Sequence, residues 1–208
     1  LAPDFKSESD EIFQAIEAIR TGAKKRGIYV VDRGGDRMIL FNHLIDNDLR
    51  FIVRLVGNRN LLWRNRPVLA DKLAGKCRMR YAETITRETD DGEKVYQVEY
   101  GVMDVRLPER PDQKLRMVVL KGFGRKPMML LTTLAATDSR ERLWQVVEGY
   151  LSRWRVEDAI RYIKQAYNLE DIRLLNYERL RNMLAVLLAA VILPPHGSVN
   201  RCAAASSF

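Results

Sequence analysis

Residues 28–56 read IYVVDRGGDRMILFNHLIDNDLRFIVRLV. Ile28-Tyr29-Val30-Val31 is a short β-branched run of the buried-strand type. It runs directly into Asp32 and then Arg33-Gly34-Gly35-Asp36. Met38, Ile39, Phe41, Leu44 and Ile45 follow at helical spacing, which predicts a helix over Asp36–Asn47. Phe51, Val53 and Leu55 alternate, which predicts a second strand over Arg50–Val56. Strand, helix and strand in close succession are the unit of a parallel α/β sheet. Upstream, Ile12, Phe13, Ile16 and Ile19 mark a helix over residues 9–26. Ser7 or Ser9 is placed to cap its start and Gly27 to end it.

Beyond residue 58 the pattern changes. Tyr81–Arg87, Lys94–Leu107, Lys114–Phe123 and Met128–Leu134 are strand-like. Asp90-Asp91-Gly92, Pro108–Pro111 and Gly122–Pro127 separate them as turn signals. An antiparallel block inserted into a parallel core accounts for this order economically. Asp138 or Ser139 then caps a helix over Arg140–Tyr167, and a last helix spans Tyr177–Leu193. The expected organisation is a core at 1–57, a β-rich insertion at 58–138, helices at 139–193 and an unstructured tail at 194–208.

The 208 residues are 47% apolar, enough to bury a core, and carry a net charge of +8. Residues 50–80 hold the charge that matters. Arg50, Arg54, Arg59, Arg64, Arg66, Lys72, Lys76, Arg78 and Arg80 face a single acid, Asp71, so this window carries the whole net charge. Such a block suits a polyanion such as DNA, because each neutralised phosphate releases counterions. A solvated basic surface is the plain alternative. Cys77 and Cys202 are the only cysteines and no metal-ligand spacing joins them to His43 or His196. That argues against a disulfide framework or a zinc site and fits a reducing cytosol. No signal peptide is visible, and the apolar run Met183–Leu193 is too short to span a membrane. The chain does not begin with Met, and PPHGSVNRCAAASSF continues no pattern from the helix before it. We expect a fragment whose tail is out of frame.

Two constellations can carry chemistry. Asp32 stands where a buried strand ends at a Gly-Gly turn, and ligands of open α/β sheets gather at such strand ends. It reads as a metal carboxylate or as a residue that shapes the turn, with Asp36 the better placed to cap the following helix. Residues 150–164, YLSRWRVEDAIRYIK, place Tyr150, Arg153, Glu157 and Lys164 within an arc of roughly 60° of one helical face. Leu143, Val146 and Trp154 share that face, so it points at protein. A half-buried carboxylate there requires a cation or a metal, and Arg153 alone is an ordinary i,i+4 partner for Glu157. Asp32 and Glu157 together suit Mg²⁺ or Mn²⁺ and substrate phosphates, with a third carboxylate expected.

The spacing Tyr150-x2-Arg153-x3-Glu157-x6-Lys164, the wording YLSRWRVED and the upstream VVDRGGDR resemble the insertion-sequence-four family of bacterial DDE transposases. The resemblance covers residues 10–193, and the β block matches that family's insertion before its last catalytic helix. It implies an α/β, ribonuclease H-like fold. It implies that Asp32 is the second and Glu157 the third carboxylate of the triad, both holding Mg²⁺ or Mn²⁺. Tyr150, Arg153 and Lys164 would contact DNA phosphates, where Arg binds bidentately and Lys as a point charge. Arg33, Arg59, Arg64, Arg66 and Trp154 are further candidates for DNA contact. The implied reaction is DNA nicking followed by 3′-hydroxyl strand transfer at transposon ends, by a bacterial, cytoplasmic homodimer with no membrane association. The family's first Asp lies in a three-strand meander that residues 1–26 do not contain, and neither Asp4 nor Asp10 follows a strand. The core is therefore expected to be incomplete, with its first three strands missing, an open edge on the strand ending at Asp32, and no cutting by the chain alone. Two other readings remain: a non-enzymatic nucleic-acid-binding protein, and a metal-dependent nuclease of another ribonuclease H-like lineage.

Overall fold

The computed structural model describes residues 8–24, 26–89, 92–135, 139–166, 176, 178, 179, 181–183, 185 and 186. The chain divides into two compact units, Leu1–Arg155 and Val156–Phe208. In the first, α1 (Glu8–Gly22) is followed by β1 (Tyr29–Val31), a 3-10 turn (Arg33–Gly35), α2 (Met38–Asp46) and β2 (Phe51–Arg54). Next come β3 (Asn60–Trp63), β4 (Arg66–Leu69) and α3 (Ala70–Lys76), then β5 (Tyr81–Thr89), β6 (Gly92–Leu107), β7 (Arg110–Lys121) and β8 (Met128–Thr132). The helices α4 (Arg140–Leu151) and α5 (Arg153–Ala166) close the described order.

The fold is mixed α/β, with a mostly antiparallel sheet in the order β1-β2-β8-β7-β6-β3-β4, and β5 paired to β6. It is compatible with a ribonuclease H-like core. The strand, helix and strand read from residues 28–56 are present, and β1 and β2 pair in parallel from Tyr29↔Phe51 to Val31↔Val53. On the other side of β2 lies β8, antiparallel, with Val53 opposite Leu131. The β-rich segment is therefore continuous with the core sheet through β8. Strand β1 ends the order and pairs on one side only among the described residues, and Ile28 beside it is 46% exposed.

Side-chain alternation sends the sheet's apolar residues to two faces. On one, Phe51, Val53, Met117, Val119 and Leu131 pack with Leu40, Phe41 and Leu44 of α2 and Leu73 of α3. On the other, Ile52, Tyr100, Val118 and Leu130 pack with Leu143, Val146, Val147 and Tyr150 of α4. Strand β8 is buried at every position, as a strand covered on both faces must be. Its end is tied by Thr132, whose buried hydroxyl donates to the Phe51 carbonyl at 2.6 Å.

Two local expectations are corrected, and two elements are present that were not expected. Helix α1 stops at Gly22 rather than near residue 26, and Lys24 adopts a left-handed conformation with φ 50°. The hairpin β3–β4 and the short helix α3 were not anticipated. The helix expected over Arg140–Tyr167 is interrupted at Ser152, whose hydroxyl donates to the Gly149 carbonyl at 2.8 Å. Such back-bonding competes with the helical ladder. Ser139 does cap α4, accepting from the Arg142 N–H at 3.3 Å. The helix expected over Tyr177–Leu193 falls mostly outside the described residues, with 178, 179, 181–183, 185 and 186 helical. The tail at 194–208 lies outside them.

Candidate active site

Asp32 lies immediately after β1, at the carboxyl end of the parallel pair, and is exposed. Its Oδ1 accepts the Gly34 N–H at 2.8 Å, so the side chain caps the 3-10 turn. The turn brings Gly35 against the strand it has just left: a Cβ there would sit 2.3 Å from Val31 Cγ1. Only glycine permits so sharp a return. A cleft of about 120 Å³ opens beside the carboxylate, between Ile12 and Phe13 of α1 and Ile39 and Leu40 of α2. Arg33 next to Asp32 is exposed.

Asp36 does not cap α2. The N-cap is Arg37, with no side-chain cap bond. The Asp36 carboxylate is instead 1% exposed and ties the two strand ends together. It accepts the Val56 N–H at 2.7 Å and the Arg59 Nε–H at 2.6 Å, while Arg59 Nη2 donates to the Asp36 carbonyl at 2.7 Å. Arg59 also lies 5.6 Å from the Phe41 ring centroid. Its side chain, 15% exposed, is committed within the protein, which removes it from the basic residues available to a polyanion. Arg64 and Arg66 are exposed at the tip of the β3–β4 hairpin.

Tyr150, near the end of α4, is fully buried, and its hydroxyl has no hydrogen-bond partner among the described residues. Arg153 lies over its ring at 5.8 Å. Tyr150 in this arrangement cannot reach a phosphate; it forms the floor on which Arg153 rests. Trp154 is half-buried. It stacks on Phe123 at 4.9 Å, and the Arg87 guanidinium lies 4.3 Å from its centroid. Phe123 in turn contacts Tyr96 at 4.7 Å, so the start of α5 is fastened to the β5–β6 ribbon.

Glu157 and Lys164 belong to the second unit and are exposed on α5. Seven residues are close to two helical turns, so both lie on one face. Among the described residues no cluster of three or more His, Cys, Asp or Glu is arranged to hold a metal ion. No described helix is long and apolar enough to cross a membrane.

The perturbed groups lie elsewhere. Burial pushes the Cys77 thiol up, with Lys121 and Arg80 opposing. Burial also pushes the Tyr100 phenol up, with Arg140 opposing. Both changes favour the neutral form, the opposite of what activates a nucleophile. His43 stacks on Phe13 at 4.5 Å.

Sequence reading missed the commitment of Asp36 to Arg59, the Arg87–Trp154 contact and the hairpin itself. Only the hairpin had a local signal: Arg64-Asn65, with φ 52° and 62°, is a two-residue turn in which Asn favours the left-handed conformation.

A family model described as the transposase DDE domain matches residues 6–193. No curated protein matches the sequence.

Proposed function

The chain belongs to the transposase DDE domain family, and from that premise we propose its chemistry. The family function is DNA transposition by enzymes that modify DNA. We assign this chain to the insertion-sequence-four lineage, on its Tyr150, Arg153, Glu157 and Lys164 spacing. The observation that carries the reading is Asp32: an exposed carboxylate at the carboxyl end of a parallel strand pair, followed by a glycine turn with no room for a side chain.

Asp32 and Glu157 are hard oxygen donors open to solvent, which fits Mg²⁺ or Mn²⁺. Bound there, such ions supply charge stabilisation to the attacking and leaving oxygens of an in-line displacement. Arg153 and Lys164 hold the phosphates, Arg153 braced on the Tyr150 ring. Arg33, Arg64 and Arg66 add contacts along the DNA. In the first reaction water attacks a phosphorus, the bond to the 3′-oxygen breaks, and a 3′-hydroxyl is released. That hydroxyl then attacks a phosphorus of a second strand, forming one phosphodiester and freeing that strand's own 3′-oxygen. Positioning and fixed charge carry both displacements.

The reading includes a bacterial, cytoplasmic homodimer that brings two DNA ends together. It includes division into a core at 1–57, an insertion at 58–138 and helices at 139–193. Asp32 and Glu157 are assigned as two of the three triad carboxylates.

The test is the metal response of DNA binding. Without metal, Asp32 and Glu157 repel phosphates, so Asp32→Asn and Glu157→Gln should bind duplex DNA more tightly than the unsubstituted chain. Added Mg²⁺ should tighten the unsubstituted chain and leave the double variant unchanged. A double variant with an intact Mg²⁺ response would place the metal elsewhere and sink the assignment.

A further inference from the structure

The β3–β4 hairpin carries a cation cluster of which the reading above uses only Arg64 and Arg66. Trp63, at the end of β3, has the Arg64 guanidinium 4.5 Å from its ring centroid and the Lys76 ammonium, from α3, at 5.4 Å. Arg66 stands opposite Trp63 in the hairpin register. The tight turn is held by Arg106, whose Nη1 donates to Asn65 Oδ1 at 3.0 Å. Lys72 lies one turn before Lys76 on α3. Arg64, Arg66, Lys72 and Lys76 are exposed. None of them pairs with a carboxylate among the described residues, in contrast with Arg59, Arg110 and Arg140, each of which does.

Like charges gathered this way repel one another, so their arrangement calls for an anion. The indole already has two cations over it, which leaves it poorly placed to stack a nucleobase. It instead fixes the spacing of Arg64 and Lys76 before any ligand arrives. The hairpin begins beside Arg59, which is tied to Asp36 near the Asp32 end of the sheet. Its tip lies roughly 13 Å further along β3, at about 3.3 Å per residue.

We propose that this tip is a second, sequence-independent contact for the phosphate backbone of duplex DNA, with Trp63 as the platform that preorders Arg64 and Lys76. The proposal rests on DNA being the substrate of the reading above. DNA engaged at the Asp32 end would meet these cations in its flanking duplex.

The experiment is fluorescence anisotropy of a labelled, arbitrary-sequence duplex titrated with the chain across a KCl series. Each phosphate contact contributes about 0.9 to the slope of log affinity against log salt. The Arg64→Gln/Lys76→Gln variant should therefore lower the slope by about 1.8. Trp63→Leu should weaken binding, and Trp63→Phe, which keeps a ring under the cations, should restore part of it; unfolding curves confirm that each variant is folded. A folded Arg64→Gln/Lys76→Gln variant with unchanged affinity and slope overturns the hairpin assignment and leaves the Asp32 and Glu157 assignment standing. A Trp63→Leu loss confined to single-stranded DNA overturns the backbone assignment in favour of base stacking. Failure of the unsubstituted chain to bind any DNA overturns both readings.

Discussion

Asp32 and Asp36 stand four residues apart in VDRGGD, and the structure gives them opposite duties. Asp36→Ala removes a carboxylate that is 1% exposed and leaves the Val56 N–H and the Arg59 Nε–H without their acceptor. Breaking a buried ion pair from one side costs about 3–5 kcal/mol, mostly through the charge left behind. Arg59 is 15% exposed and keeps its bond to the Asp36 carbonyl, which places the loss near the lower limit, about 3 kcal/mol. At a urea dependence of about 2 kcal/mol per molar, the unfolding midpoint should fall by about 1.5 M. Asp32→Ala gives up one exposed bond to Gly34 at a turn, a loss of about 1 kcal/mol or less. Its midpoint should move by about 0.5 M at most. Equilibrium urea unfolding followed by tryptophan fluorescence measures both. The reasoning is refuted if Asp36→Ala costs less than about 1 kcal/mol, or no more than Asp32→Ala. A carboxylate that contributes little to stability yet sits exposed at a strand end is free to serve a ligand. That is the distinction the functional reading needs.

Further outcomes follow from the same geometry. Gly35→Ala forces a methyl against Val31 and should destabilise the chain by about 1–3 kcal/mol, with the shift read from the same unfolding curves. Tyr100 is fully buried and its phenol is pushed up, so its folded value exceeds its unfolded one. That contribution is complete below the unfolded value near 10 and is lost as pH rises through the folded value. Stability should accordingly fall more steeply above about pH 10 in the unsubstituted chain than in Tyr100→Phe. Arg87→Gln removes the cation over Trp154 and should change that residue's fluorescence in a Trp63→Phe/Trp144→Phe background, while leaving the β-sheet circular dichroism unchanged.

The parallel unit was legible because its signals are local. Val30-Val31, the helical spacing of Met38 to Ile45, and the alternation through Phe51, Val53 and Leu55 each specify one element. The long strands β5 to β8 were legible for the same reason. The hairpin was hidden by its composition: each strand is four residues long, and Pro67 argues against a strand unless it lies at an edge, as β4 does. The break at Ser152 carries neither Gly nor Pro. It depends on a hydroxyl turning back to Gly149, an option open to any helical serine. The site was legible in residue type rather than in state. Asp32 was found, but the burial of Tyr150 and the half-burial of Trp154 depend on Phe123, Arg87 and the sheet beneath α4, all distant in sequence. Arg59 looked like its neighbours Arg64 and Arg66, and only a partner 23 residues away sets it apart.

The metal role proposed for Asp32 and for Glu157 is open to one direct measurement. Fe²⁺ substituted for Mg²⁺ in the DNA-bound chain, with ascorbate and peroxide, cuts the polypeptide wherever the metal resides. Cuts should flank residue 32 and residue 157 and be suppressed by excess Mg²⁺, those at residue 32 also being lost in Asp32→Ala and those at residue 157 in Glu157→Ala. Cuts at neither position, or cuts at 32 and 157 that survive both substitutions, would contradict that role.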